Sequence, residues 1–376
     1  MRHEGDPSPF LDQVFTTDTV MAITLNGMIS NEKMHTILDK LAEYDLNVSF
    51  FVDQDQLGNQ SAMIQTISEQ GHMIETGVHK QEDLSDVDYE DIYNEVTMTN
   101  DIIQDMTGHK PNFTRTKPWK ENHDLQLITA QLNMEAVVGH FIRPRDSDLE
   151  DQEALARYFE RALSRGGIIS LDTSDYPQIL DSIDYIVEEA SQIDYSIISL
   201  ADLVDIGQTR KPFEEIEGHD LIKKNLDYEN EEPNVFYSKA TDEKIVALTF
   251  DDYGSDKTVL EILDILDANN IQSTFFLKAK NVERNPNLAK VILDRGHEVA
   301  NHSYAHLKST ELTPEELQED LIKAHQVITE AIQEKPTMLF RPPFGNVDDR
   351  SEKVMSAVGF QNIAMYDISS YDWNAD

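Results

Sequence analysis

Two histidines four residues apart, His302 and His306, and two adjacent aspartates, Asp251 and Asp252, are the side chains in this sequence best suited to chemistry. A four-residue spacing brings two imidazoles onto one side of a turn, where both can reach one metal ion. Two carboxylates at the end of an apolar run can complete such a site or supply an acid or base, but they can equally cap a following helix. The 376 residues include no cysteine, so any metal must rest on histidine and carboxylate ligands. His297 reads differently. A lone histidine is more often a packed residue than a ligand, and a histidine recurs at its place elsewhere in the chain.

That recurrence belongs to an internal repeat. VMAITLNG (20–27) aligns with IVALTFDD (245–252), placing Thr24 on Thr249. The same offset places Phe50-Phe51 on Phe275-Phe276, Gly71-His72 on Gly296-His297 and Lys110-Pro111 on Lys335-Pro336. Each copy opens with a short apolar run read as a buried strand (20–25 and 245–250), followed by an amphipathic helix. The second strands are VSFFV (48–52) and STFFL (273–277), and helix and strand alternate onward through QTISEQGHMIE and KVILDRGHEVA. Such alternation predicts a parallel sheet or barrel of the α/β class, built twice. Residues 1–18 read as an N-terminal tail, 19–208 as the first domain, 209–242 as a polar linker with one short helix, and 243–376 as the second domain.

The copies differ at polar positions that a core does not need. With one constant offset, Asp251 and Asp252 face Asn26 and Gly27, His302 and His306 face Gly77 and Gln81, and Arg341 faces Thr116. The second copy is therefore expected to carry the chemistry and the first to serve as scaffold.

TFDD (249–252), NHSYAH (301–306), RPPFG (341–345) and YDISSYDW (366–373), in that order, closely resemble the polysaccharide deacetylases of carbohydrate esterase family 4. The resemblance covers residues 245–376, and the first copy resembles the same fold in degenerate form. It implies two tandem distorted (β/α) barrels with the site at the C-terminal ends of the strands. It further implies that Asp252, His302 and His306 hold one divalent metal, zinc as a rule, with cobalt, nickel or manganese as other choices. Asp251 would be the general base toward water, with Arg341 holding it in place. The backbone N–H of Phe344 would stabilise the oxyanion, Trp373 would line the sugar groove, and Asp372 would orient the acid that protonates the leaving amine.

Three features depart from the family pattern. Tyr253 stands where the family usually has glycine, and Phe344 stands where it has tyrosine. The family's last motif, Leu-His, does not follow Trp373. In the first copy GGIISLDTS (166–174) resembles the final strand, with Asp172 in place of the acid histidine, and residues 178–192 and 196–204 close the domain. The second copy's counterpart falls beyond residue 376, so the second barrel is expected to be incomplete and this form weakly active.

The reaction implied is removal of N-acetyl groups from a polysaccharide, peptidoglycan first and other N-acetylglucosamine polymers next. Alternatives are an acetyl xylan esterase and a non-catalytic carbohydrate-binding protein of the same fold. With 71 acidic against 31 basic residues, the net charge of −40 argues against nucleic acid or anionic membranes as partners. So many carboxylates suit a solvated surface in salty or alkaline surroundings. No apolar run is long enough to span a membrane, and the polar start MRHEGDPSPF is unlike a signal peptide. An extracellular or cell-wall location is nevertheless expected, with the targeting segment outside this chain. No GxxxxGK[ST], GxSxG or HExxH motif is present, which removes nucleotide, serine-hydrolase and zincin readings.

Overall fold

The computed structural model describes residues 2–78, 84–116 and 121–371. They form two compact units, Met1–Gln208 and Thr209–Asp376, each with its own sheet.

The first unit has eight strands: β1 Phe10–Leu11, β2 Val20–Asn26, β3 Ser49–Val52, β4 Met73–Val78, β5 Phe113–Thr116, β6 Ala136–Val138, β7 Ile168–Asp172 and β8 Ser196–Ile198. The order is β1-β6-β5-β4-β3-β2-β7, with β8 also pairing β2, and every ladder is parallel. Parallel strands need crossover helices, which cover the outer face and leave the strands as continuous apolar runs. The helix Asn31–Glu43 shows how: Met34, Ile37, Leu38 and Leu41 recur at helical spacing and are all buried. Isolated bridges from Gln13 to Gly167 and from Ile142 to Ile169 bring the ends of this curled sheet together, as a distorted barrel requires.

The second unit repeats five of these eight strands. Its strands are β9 Asn234–Phe236, β10 Thr249–Asp251, β11 Thr274–Leu277, β12 Glu298–Asn301 and β13 Asn362–Ala364. The order β10-β11-β12 is parallel, β13 pairs β9, and Phe340 bridges both Asn301 and Ile363 to join the two groups. The helices Tyr89–Thr107 and Pro314–Ile332 are both 19 residues long and occupy corresponding places in the two copies. In the second, Thr313 and Glu316 form a reciprocal cap and Pro314 fills the first turn.

Two boundaries differ from the sequence reading. The segment 1–18 is not a free tail, because β1 pairs β6 and Val14 and Phe15 are buried. The segment 209–242 is not a bare linker, because it contributes β9, the counterpart of β1, and buries Ile222 against Leu317, Leu321 and Phe340. Strands of two or three residues carry too little alternation to stand out from polar surroundings. The run 245–250 is also shorter as a strand than expected. Ile245, Val246 and Leu248 lie outside β10 and are exposed, whereas Met21, Ala22 and Ile23 of β2 are fully buried.

Candidate metal centre and active site

The candidate residues converge at the C-terminal ends of β10 and β12, the end of a parallel sheet where successive loops can aim side chains at one point. Asp251 is the last residue of β10. At Asp252 the backbone turns into the left-handed region (φ 72°), as does Gly27 (φ 74°) at the same place in the first unit. The second copy thus places a carboxylate where the bend favours glycine.

His302 follows β12 and is buried, and its Nδ1 lies 2.7 Å from the carbonyl oxygen of Arg341. That contact fixes the ring and leaves Nε2 for a ligand. His306 lies beyond a tight loop, its ring centroid 5.0 Å from that of His302 and its Nε2 3.5 Å from Asp252 Oδ1. One ligand atom from each of Asp252, His302 and His306 falls within 4.8 Å of the others. Among the described residues no other group of three metal-ligating side chains converges in this way. Two imidazoles and a carboxylate make a donor set that suits zinc and related divalent ions. Burial pushes the His302 imidazole below its usual pKa against the opposing pull of Asp251 and Asp252, which favours the neutral ring that a metal needs.

Arg341 is buried and every arm of its guanidinium is employed. One terminal nitrogen donates to Asp251 Oδ1 (2.7 Å) and Thr249 Oγ1 (2.8 Å), Nε donates to Ala364 O (3.0 Å), and the other terminal nitrogen donates to Met365 O (3.1 Å). Its plane lies 4.0 Å from the centre of the Phe276 ring. Phe344 is 64% exposed, has φ 61°, and sits edge-on to His306 at 4.7 Å. Tyr253, the departure from glycine, is buried and donates its hydroxyl to Asn285 O (2.6 Å), so it serves packing. Asp372 and Trp373 lie outside the described residues. His297 sits away from this group, edge-on to Phe275 with Nδ1 accepting from Ser273 N, and His72 does the same with Phe50 and Val48 N. Both histidines are structural.

One assignment from the sequence is overturned. The counterpart of Arg341 is Arg115, not Thr116. Arg115 donates to Thr24 Oγ1, Asn26 Oδ1, Val138 O and Gly139 O and lies 4.0 Å from the centre of the Phe51 ring, bond for bond the arrangement around Arg341. The constant offset slips by one residue here, because three residues separate Pro111 from Arg115 and four separate Pro336 from Arg341. Gln81 lies outside the described residues.

Residues 14–137 and 238–363 each match the polysaccharide deacetylase family. Over 159 residues the chain is 34% identical to a peptidoglycan-N-acetylglucosamine deacetylase of Bacillus cereus, a match covering 42% of this chain and 68% of that protein. It is 33% identical over 135 residues to the peptidoglycan-N-acetylglucosamine deacetylase PgdA of Listeria monocytogenes, covering 36% of this chain and 28% of that one. A CE4 family pseudoenzyme of known structure from Bacillus anthracis is similar at a TM-score of 0.49 and 14% identity, over 54% of this chain and 71% of that chain. The chain belongs to the polysaccharide deacetylase family, in two tandem copies. The family and the named relatives support a deacetylase of the hydrolase class, and the chain's own residues bear on which copy could act and how.

Proposed function

We propose that the second unit hydrolyses the N-acetyl amide of N-acetylglucosamine units in a polysaccharide, peptidoglycan first, in an extracellular or cell-wall setting. The observation that carries this reading is the convergence of Asp252, His302 and His306 beside an Asp251 that is braced by a buried arginine. The names of the Bacillus and Listeria relatives support the substrate class.

In this reading Asp252, His302 and His306 hold one divalent ion, zinc by its donor set. Such an ion supplies positive charge that polarises the acetyl carbonyl and makes water a better nucleophile. Asp251 then takes the proton of the attacking water. Its Oδ1 is engaged by Arg341, which leaves Oδ2 for that proton and fixes the direction from which it is accepted. Water oxygen bonds to the acetyl carbon, the carbon–nitrogen bond breaks, and acetate and a sugar amine leave. The N–H of Phe344 donates to the developing oxyanion, Trp373 lines the sugar groove, and Asp372 orients the acid that protonates the amine. The exposed Phe344 ring beside His306 offers an apolar face to a sugar.

The test is acetate release from N-acetylglucosamine oligomers by the whole chain supplied with zinc, beside His302→Ala and Asp251→Asn. Release by the parent that both variants lose supports the reading. A parent that binds zinc and glycan but releases no acetate favours the carbohydrate-binding alternative.

A further inference from the structure

The loop from His302 to His306 lies outside regular structure, yet four successive backbone N–H groups within it each meet a side-chain oxygen. Ser303 N donates to Asn301 Oδ1 (2.8 Å), Tyr304 N to Asp320 Oδ2 (2.9 Å), Ala305 N to Asp320 Oδ1 (2.8 Å) and His306 N to Ser303 Oγ (2.9 Å). Ser303 (φ 67°) and His306 (φ 58°) both hold left-handed backbone, a conformation that persists in such residues only when the surroundings over-determine it. His302 is secured independently, by its backbone bond to Leu277 O and its ring contact with Arg341. His306 depends on the loop.

We infer that Asp320 is a positioning residue that sets His306 relative to Asp252 and His302. Both of its carboxylate oxygens are spent on consecutive N–H groups, a fork that fixes the loop in direction as well as distance. Its helix, Pro314–Ile332, is anchored by buried Leu317, Leu321, Ala324 and Ile328, so the fork stands on a rigid base. One turn on, Lys323 places its ammonium 3.8 Å from the centre of the Tyr304 ring, whose hydroxyl donates to Glu283 (2.7 Å). The same helix therefore grips the loop twice, by main chain and by side chain. Outer partners of this kind orient ligands and affect affinity without touching the metal. Glu95 occupies the corresponding place in the first copy, which has Gly77 and Gln81 at the histidine positions.

This inference rests on the metal reading above, and one titration separates the two. Cobalt(II) is added to the whole metal-free chain while its visible absorption is followed, for the parent and for His302→Ala, Asp320→Asn, Asp320→Glu and Ser303→Ala. The parent should bind cobalt and His302→Ala should not; a parent that binds none overturns the metal reading and this inference with it. Asp320→Asn should bind roughly 10- to 100-fold more weakly with an altered spectrum, while the melting temperature of its metal-free form stays near that of the parent. Asp320→Glu, which keeps two acceptor oxygens, should recover part of the affinity. If Asp320→Asn does not fold, the burden passes to Asp320→Glu and Ser303→Ala, each expected to alter the cobalt spectrum. Parent-like affinity and spectrum in every folded Asp320 and Ser303 variant overturn the inference.

Discussion

At the C-terminal ends of their strands the two units differ in their acids and ligands and agree in their arginine. Asp251, Asp252 and His302 of the second correspond to Asn26, Gly27 and Gly77 of the first, while Arg115 and Arg341 each donate to the corresponding pair of backbone carbonyls in their own unit, above the corresponding phenylalanine. A buried guanidinium kept beside a neutral amide is not there to serve a base. It satisfies two successive main-chain oxygens at the end of one strand, β6 in the first unit and β13 in the second, and ties that end to side chains of β2 or β10. Arg341 thus shares its support of the fold with Arg115, and its contact with a carboxylate, Asp251, is what sets the second copy apart; in the proposed function that contact aims the base.

The sharpest way to break this comparison is to remove a ligand. His302→Ala should lose the metal and reduce acetate release to background, measured by elemental content and product assay. Grafting the lost residue onto the first copy with Gly77→His should add neither.

Next in size is the base. Asp251→Asn, which makes the second copy resemble the first, should cut kcat by roughly 10²- to 10⁴-fold while leaving metal content unchanged. The reverse change, Asn26→Asp, should leave turnover as it was. A rise on Asn26→Asp would mean the first copy is nearer to activity than its missing ligands indicate.

The arginines test the shared duty. Arg115→Ala and Arg341→Ala should each destabilise their own unit by about 3 kcal/mol in urea melts, because each orphans buried oxygens. Only Arg341→Ala should also lower acetate release at temperatures where the protein remains folded.

The smallest effect is a pH slope confined to the first unit. Glu75 on β4 stands where the second unit has Ala300 on β12, both in register with a phenylalanine of the preceding strand. Burial pushes its carboxyl up to about 8, against two backbone N–H groups, of Asn112 and Phe113, that favour the charged form. A carboxyl with a raised folded pKa contributes stability that is fully present below the ordinary 4.5 and is lost as pH climbs through about 8. Hydrogen exchange should show the first unit opening more readily at pH 8 than at pH 6 relative to the second, and Glu75→Gln should flatten that difference.

Much of this was legible in the sequence for a plain physical reason. Repeats, apolar periodicity and the residue types of HxxxH and Asp-Asp are local properties, and they locate β3, β11, the helix after the first strand of each copy, the two histidines and the aspartate pair, while the choice of Asp252 as the third ligand rests on the family resemblance. Glycine at 27 and aspartate at 252 share one bend because a sharp turn after the strand imposes the same φ on both. Edge strands β1 and β9 were missed because two or three residues have no periodicity to read.

Residue types, their order and the repeat were thus determined by the sequence alone, since each depends on neighbours along the chain. The partnership of Arg115 with Asn26, the packing of segment 209–242 and the grip of Asp320 on the histidine loop were decided by the tertiary structure. A one-residue slip between Pro336 and Arg341 leaves no trace in a pattern of apolar residues, but a buried guanidinium in a sheet finds its oxygens in only one register.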